Sequence, residues 1–88
     1  MPFVYILQSL NNSRYYIGST TNLARRLEEH NAGKSTYTSL TKPFILVFNQ
    51  EFSSLTQARK IEMKLKSFKS KKILESIIKD GYIKTIVG

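Results

Sequence analysis

The spacing of hydrophobic and polar positions changes along the chain, and each change predicts an element. Phe3 to Gln8 and Arg14 to Ser19 are rich in β-formers, and the turn-forming Asn11-Asn12-Ser13 between them predicts an antiparallel hairpin. Ser19-Thr20-Thr21-Asn22 offers several N-caps, Asn22 preferred, for a helix from Leu23 to Asn31 that stops near Gly33. Its apolar stripe is Leu23, Ala24 and Leu27, with Arg26 and His30 along one margin and Arg25, Glu28 and Glu29 turned more to solvent. Lys34 to Lys42, rich in Ser and Thr, reads as a loop. Pro43 then opens Phe44-Ile45-Leu46-Val47-Phe48, an unbroken apolar run that suits a strand buried on both faces.

Beyond it the period returns to that of a helix. Ser54 and Gln57 have capping-box spacing for a helix to Lys66 or Phe68. Ser70 caps another, with Ile73, Leu74, Ile77 and Ile78 as its stripe and Gly81 as its stop, while Tyr82 to Gly88 fits a tail or a short strand. The order β-β-α-β-α-α predicts an α+β fold, a small three-stranded antiparallel sheet flanked by helices. With 88 residues and no repeat or linker, one domain over residues 1–88 is expected.

Composition adds a partner class and removes several chemistries. Fourteen Lys plus Arg against six Asp plus Glu give a formal charge of +8, for which polyanions are natural partners. Arg59, Lys60, Lys64, Lys66, Lys69, Lys71 and Lys72 fall within one short stretch whose single acid is Glu62, a candidate nucleic-acid-binding face. The absence of Cys excludes disulfides, cysteine zinc sites and thiol nucleophiles. One His makes a structural zinc site improbable, and there is no Gly-rich phosphate loop or serine elbow. Met1-Pro2-Phe3 leads straight into strand-like sequence and no apolar run reaches membrane length, so a cytoplasmic protein without a membrane partner is expected.

The hairpin and the two helices carry the candidate chemistry. A loop of two or four residues puts Tyr5, Leu7, Tyr16 and Gly18 on one face, and a two-residue loop at Asn11-Asn12 sets Tyr5 across from Gly18, which leaves an empty place beside the phenol. The tyrosines are either ordinary strand residues with hydroxyls at a sheet edge or parts of a site. Glu62 falls between Leu55 and Ala58 on the helical wheel, within the apolar arc completed by Ile61, Leu65 and Phe68. An unpaired carboxylate there is costly, so a cation should stand beside it: a salt bridge to Arg26 and a metal ion both fit. For phosphodiester cleavage the parts suffice. A divalent ion on Glu62 polarises a phosphate oxygen, Arg26 stabilises the developing charge, and a tyrosine deprotonates water with its pKa held down by nearby positive charge.

These residues resemble the GIY-YIG nuclease domain, and most closely the branch of small bacterial proteins made of that domain and little else. Phe3-Val4-Tyr5 stands where the family has Gly-Ile-Tyr, and Tyr16-Ile17-Gly18 stands for Tyr-Ile-Gly. In "NLARRLEEHNAG", Arg26 and His30 occupy the family's Arg position and one often His or Lys, and Glu62 falls where the family places its metal-binding Glu. The resemblance implies a metal-dependent DNA endonuclease with one Mg²⁺ or Mn²⁺, acting in repair or processing on branched, single-stranded or damaged DNA, with RNA a further possible substrate. It implies Tyr5, Tyr16, Arg26 and His30 as catalytic, Gly18 as backbone clearance and Glu62 as metal ligand. Phe3 replaces the leading Gly, no Asn follows Asn49, and no second domain chooses the DNA, so a protein partner that selects the target is expected. The alternative is a nucleic-acid-binding module that keeps the fold without turnover.

Overall fold

The computed structural model describes residues 1–32 and 43–83, so the expected stop near Gly33, the Lys34 to Lys42 loop and the chain beyond Ile83 lie outside the described residues. Strand β1 (Phe3–Ser9) and β2 (Tyr15–Thr20) are followed by α1 (Leu23–Asn31), β3 (Phe44–Glu51), α2 (Leu55–Phe68) and α3 (Lys71–Asp80). The three strands form an antiparallel sheet in the order β2-β1-β3, which is the predicted α+β architecture.

The hairpin keeps the expected register with a wider turn. Leu10 to Ser13 form the loop between Ser9 and Arg14, whose backbone bond (Ser9 N–H to Arg14 carbonyl, 2.9 Å) closes the ladder. The Ser9 hydroxyl accepts from the Asn11 and Asn12 amides at 3.1 and 3.2 Å, and Ser13 takes a left-handed conformation at φ 63°. Because the loop grows at both ends together, Tyr5 still pairs with Gly18 and Leu7 with Tyr16.

Alternation along β1 divides the core into two layers. Tyr5 and Leu7 meet Phe44, Leu23 and Leu27 on the face covered by α1. Val4, Ile6, Ile17 and Phe48 face Ala58, Ile61 and Leu65 of α2, with Leu74 and Ile77 of α3 packed behind. β1, not β3, is therefore the strand buried on both faces. β3 is an edge strand with Ile45 42% and Leu46 37% exposed, which corrects the expectation drawn from its unbroken apolar run. A bulge explains that run. Ile6 pairs with Phe48 but Leu7 pairs with Leu46, which leaves Val47 as the extra residue. The shift sends Phe44 to the α1 layer and Phe48 to the α2 layer, although their spacing would otherwise put both on one face.

The outer edge of β3 is tied to α1 by a side chain. Asn31 Oδ1 accepts from the Phe44 amide at 2.7 Å and its Nδ2 donates to the Phe44 carbonyl at 3.3 Å, replacing a missing strand neighbour. On the opposite layer Ser54 caps α2 by accepting from the Gln57 amide at 3.1 Å, while Gln57 reaches back to Ser53 instead of Ser54. Lys69, left-handed at φ 49°, ends α2, Ser70 caps α3, and Gly81 at φ 81° ends it as predicted.

This layering sets a stability contrast. Ile6→Ala should cost about 2–5 kcal/mol in urea unfolding, and Ile45→Ala less than about 1 kcal/mol. Equal losses would return β3 to the interior.

Candidate active site

Tyr5 is 1% exposed although it carries a hydroxyl, and Gly18 across the ladder is the reason it fits. A Cβ on Gly18 would overlap the Tyr5 hydroxyl and lie 2.5 Å from Cζ, so the phenol itself fills the place expected to stand empty beside it. The sheet-edge reading of Tyr5 therefore fails.

The polar end of this phenol is held by α1. Asn22 caps the helix by accepting from the Arg25 amide at 3.1 Å. One face of α1 then carries Leu23, Leu27 and His30 to the sheet. His30 is 2% exposed, whereas Ala24 is exposed, so the stripe is centred one position away from the apolar reading and includes the His. Its Nε2 lies 3.1 Å from the Tyr5 hydroxyl. Its ring meets Tyr16 edge-on with centroids 4.6 Å apart and Phe44 at 6.1 Å. Arg26 donates from Nε to the same Tyr5 oxygen at 3.3 Å and from a terminal nitrogen to Glu29 at 3.4 Å. Glu29 also pairs with Arg25 at 3.4 Å, so it belongs to this edge rather than to open solvent.

Burial sets the protonation states. It pushes the Tyr5 phenol above its ordinary 10.0, against the opposing hydrogen bond and charge of Arg26, with Tyr16 and Glu62 adding to the rise. Burial also lowers the His30 imidazole from 6.5, assisted by Arg26 and opposed by Glu29. A neutral His30 thus faces a neutral Tyr5. The phenol donates to Nε2 when the ring proton sits on Nδ1, and its oxygen accepts when the proton sits on Nε2. Nδ1 is buried and has no hydrogen-bond partner among the described residues.

Glu62 comes from the opposite layer. Ala58, Ile61 and Leu65 are the buried residues of α2 and Leu55 is exposed, so Glu62 stands at the margin of the apolar arc and not within it. Its side chain is 19% exposed. Ser19 of β2 donates to Oε1 at 2.5 Å and Lys66 to Oε2 at 2.7 Å. The expected cation is therefore Lys66, one helical turn away, and not Arg26, which is engaged by Tyr5 and Glu29.

The seven basic residues do not form one face. At about 100° per residue, Arg59 and Lys66 share the Glu62 margin of α2 while Lys60 and Lys64 share the other. Lys69 and Lys71 stand at the α2–α3 junction, and Lys72 points away from Leu74 and Ile77. Among the described residues no three of His, Cys, Asp or Glu form a metal cluster, so an ion at Glu62 would take most of its ligands from water and substrate. That suits Mg²⁺, which keeps several waters and binds through one or two carboxylates with substrate phosphate. It does not suit Zn²⁺, which takes three or four protein ligands.

Residues 1–74 match the GIY-YIG catalytic domain. The chain belongs to the GIY-YIG family. It is similar to a UPF0213 protein of Staphylococcus haemolyticus, 40% identical over 76 residues covering 85% of this chain and 92% of that protein. UPF0213 protein YazA of Bacillus subtilis is 35% identical over 71 residues, 80% of this chain and 71% of its own. The solution NMR structure of UPF0213 protein BH0048 from Bacillus halodurans shares the fold at a TM-score of 0.56 and 33% identity, over 90% of this chain and 84% of that one. GIY-YIG domains constitute a nuclease superfamily, which implies a nucleic-acid substrate. No helix among the described residues is long and apolar enough to cross a membrane.

In this GIY-YIG chain five of the expected residues meet on the α1 face, while Glu62 lies on the α2 face against Ser19. Ser19, Phe44 and Asn31 were not anticipated as supports. Ser19 reads as a strand end or a possible N-cap and Asn31 as a helix end; the packing of α2 on β2 gives Ser19 its partner and that of α1 on β3 gives Asn31 its own.

The chain has a single His, which makes the burial of His30 testable. Between the unfolded value of about 6.5 and the lower folded one, the unfolded chain holds a proton that the native chain lacks. Stability is then complete above about pH 6.5 and falls toward the folded pKa, by at most about 1.4 kcal/mol per pH unit. Urea midpoints from pH 8 to 5 should show this slope and His30→Gln should flatten it; a flat wild-type curve would mean that the imidazole is not held neutral. Gly18→Ala should cost about 1–3 kcal/mol by displacing the phenol, and unchanged stability would show that Tyr5 yields at no cost.

Proposed function

We propose that this chain is a metal-dependent endonuclease that hydrolyses DNA phosphodiester bonds, with Tyr5, Arg26, His30 and Glu62 at its centre. The observation that carries the reading is the buried Tyr5 hydroxyl, which receives a hydrogen bond from Arg26 and stands 3.1 Å from a neutral imidazole. A structural tyrosine needs one partner. This one has a fixed cation that favours the phenolate and a base able to take its proton.

In the proposed reaction the Tyr5 oxygen accepts a proton from the attacking water while its own proton moves to His30 Nε2. The resulting hydroxide attacks phosphorus, and the bond to the leaving oxygen breaks. The unused donors of the Arg26 guanidinium bind the phosphate oxygens, where negative charge grows in the transition state. Tyr16 packs edge-on against His30 and keeps the ring aimed at Tyr5. A divalent ion, Mg²⁺ or Mn²⁺, bound by Glu62 would polarise a phosphate oxygen and offset its charge. Ser19 fixes the rotamer of that carboxylate, and Lys66 holds its charge in check until substrate and ion arrive.

The Lys66 contact also favours the second reading. A carboxylate already paired at 2.7 Å suits a binding module without turnover. Cleavage separates the two. Labelled single-stranded, branched and duplex DNA should be cut in Mg²⁺ or Mn²⁺ and left intact in EDTA, with Arg26→Ala, Glu62→Gln and Tyr5→Phe each slowed by about 10²–10³ while still binding. Wild-type protein that binds but cuts nothing in either metal would establish the binding module. A protein partner that selects the target would raise cleavage above this basal rate.

A further inference from the structure

A cleft among the described residues lies on the opposite side of Tyr16 from His30. It has a volume of about 630 Å³ and runs along the open edge of β2 from the hairpin turn to the α2–α3 junction. Its floor is Ile17, Leu65 and Leu74. Arg14, Lys66, Lys69 and Lys71 stand round it, and no acidic residue lines it among the described residues, whereas two smaller clefts beside α1 each include Glu29. Tyr15 forms part of one wall with the Lys71 ammonium 5.9 Å from its ring centroid.

We propose that this cleft is a subsite for an unpaired nucleotide of a DNA strand whose neighbouring phosphate lies at Tyr5 and Arg26. The inference rests on the endonuclease reading and adds to it a binding site and a preference for substrates with a single-stranded segment. Cations alone would suit any nucleic acid. An apolar floor beside an aromatic wall suits a base whose faces are free, because a paired base stacked in a duplex offers a protein only its edges and its backbone. The volume lies within the roughly 300–1,000 Å³ of pockets that enclose a small organic ligand. Two residues of the cleft wall also touch the candidate active site. Tyr16 lines it and packs on His30, and Lys66 lines it and binds Glu62. Lys69 and Lys71 flank the chain reversal made by the left-handed Lys69, a position from which both can reach the phosphates of a strand laid across the junction. Lys71 can exchange its contact with Tyr15 for a phosphate when a base takes the ring.

Binding in EDTA, read by fluorescence anisotropy, tests the subsite apart from cleavage. A labelled ten-nucleotide oligo-dT and a blunt hairpin duplex are the probes. Tyr15→Leu should weaken oligo-dT about tenfold and leave duplex affinity within twofold. Because Tyr15 also packs on the core, the exposed pair Lys69→Glu and Lys71→Glu supplies an independent variant. It should weaken oligo-dT by at least tenfold and duplex by much less. Equal weakening of both probes in either variant, or no effect on oligo-dT, would overturn the subsite while leaving the nuclease reading intact. Failure of the wild type to cut any DNA in metal, with the oligo-dT preference present, would sink the nuclease reading and leave a base-binding cleft.

Discussion

Tyr5 lies on the one strand that is buried on both faces, and its ring fits there because Gly18 across the ladder has no side chain. A buried hydroxyl must find hydrogen-bond partners, since leaving it unsatisfied costs about 1–3 kcal/mol. That requirement fixes how α1 sits on the sheet: the helix must bring Arg26 and His30 to a single oxygen. The neighbouring contacts follow from the same seat. Tyr16 and Phe44 close round the imidazole, and Asn31, the next residue on the helix, reaches the backbone of Phe44. Core packing and candidate chemistry are here one arrangement.

The electrostatics of this arrangement oppose one another in a useful way. Burial disfavours both the phenolate and the imidazolium, which keeps the pair neutral at rest, while Arg26 favours the one and disfavours the other. A negative charge brought against Arg26 would offset its field and so favour the imidazolium. Glu62 stands outside this pair, in the other layer, with its own hydroxyl and ammonium partners. The charge of Glu62 still reaches the Tyr5 phenol across the edge strand β2, where it adds to the rise of the phenol's pKa.

The hairpin, its register, all three helices and their caps were legible in the chain, because they depend on local signals: Asn11-Asn12 for the turn, Asn22, Ser54 and Ser70 as caps, Gly81 as a stop. A hairpin loop of two or four residues was enough to put Tyr5, Tyr16 and Gly18 on one face. The depth of β3 was misjudged because an unbroken apolar run looks the same whether it is sandwiched or bulged, and the extra Val47 becomes visible only in the pairing with β1. Counting His30 as polar placed the stripe of α1 one step away from where it lies.

What the sequence determined by itself was the set of elements, their order and the candidate residues, since capping, periodicity and turn chemistry act over a few residues. Which hydroxyl meets Glu62, which strand lies in the middle, and that the phenol fills the space over Gly18 were decided only by tertiary structure. Those outcomes depend on contacts between residues 13 to 43 positions apart: Ser19 with Glu62, Tyr5 with His30, Asn31 with Phe44. No local pattern encodes such pairs, because each partner satisfies its hydrogen bonds only after the two layers have closed on the sheet.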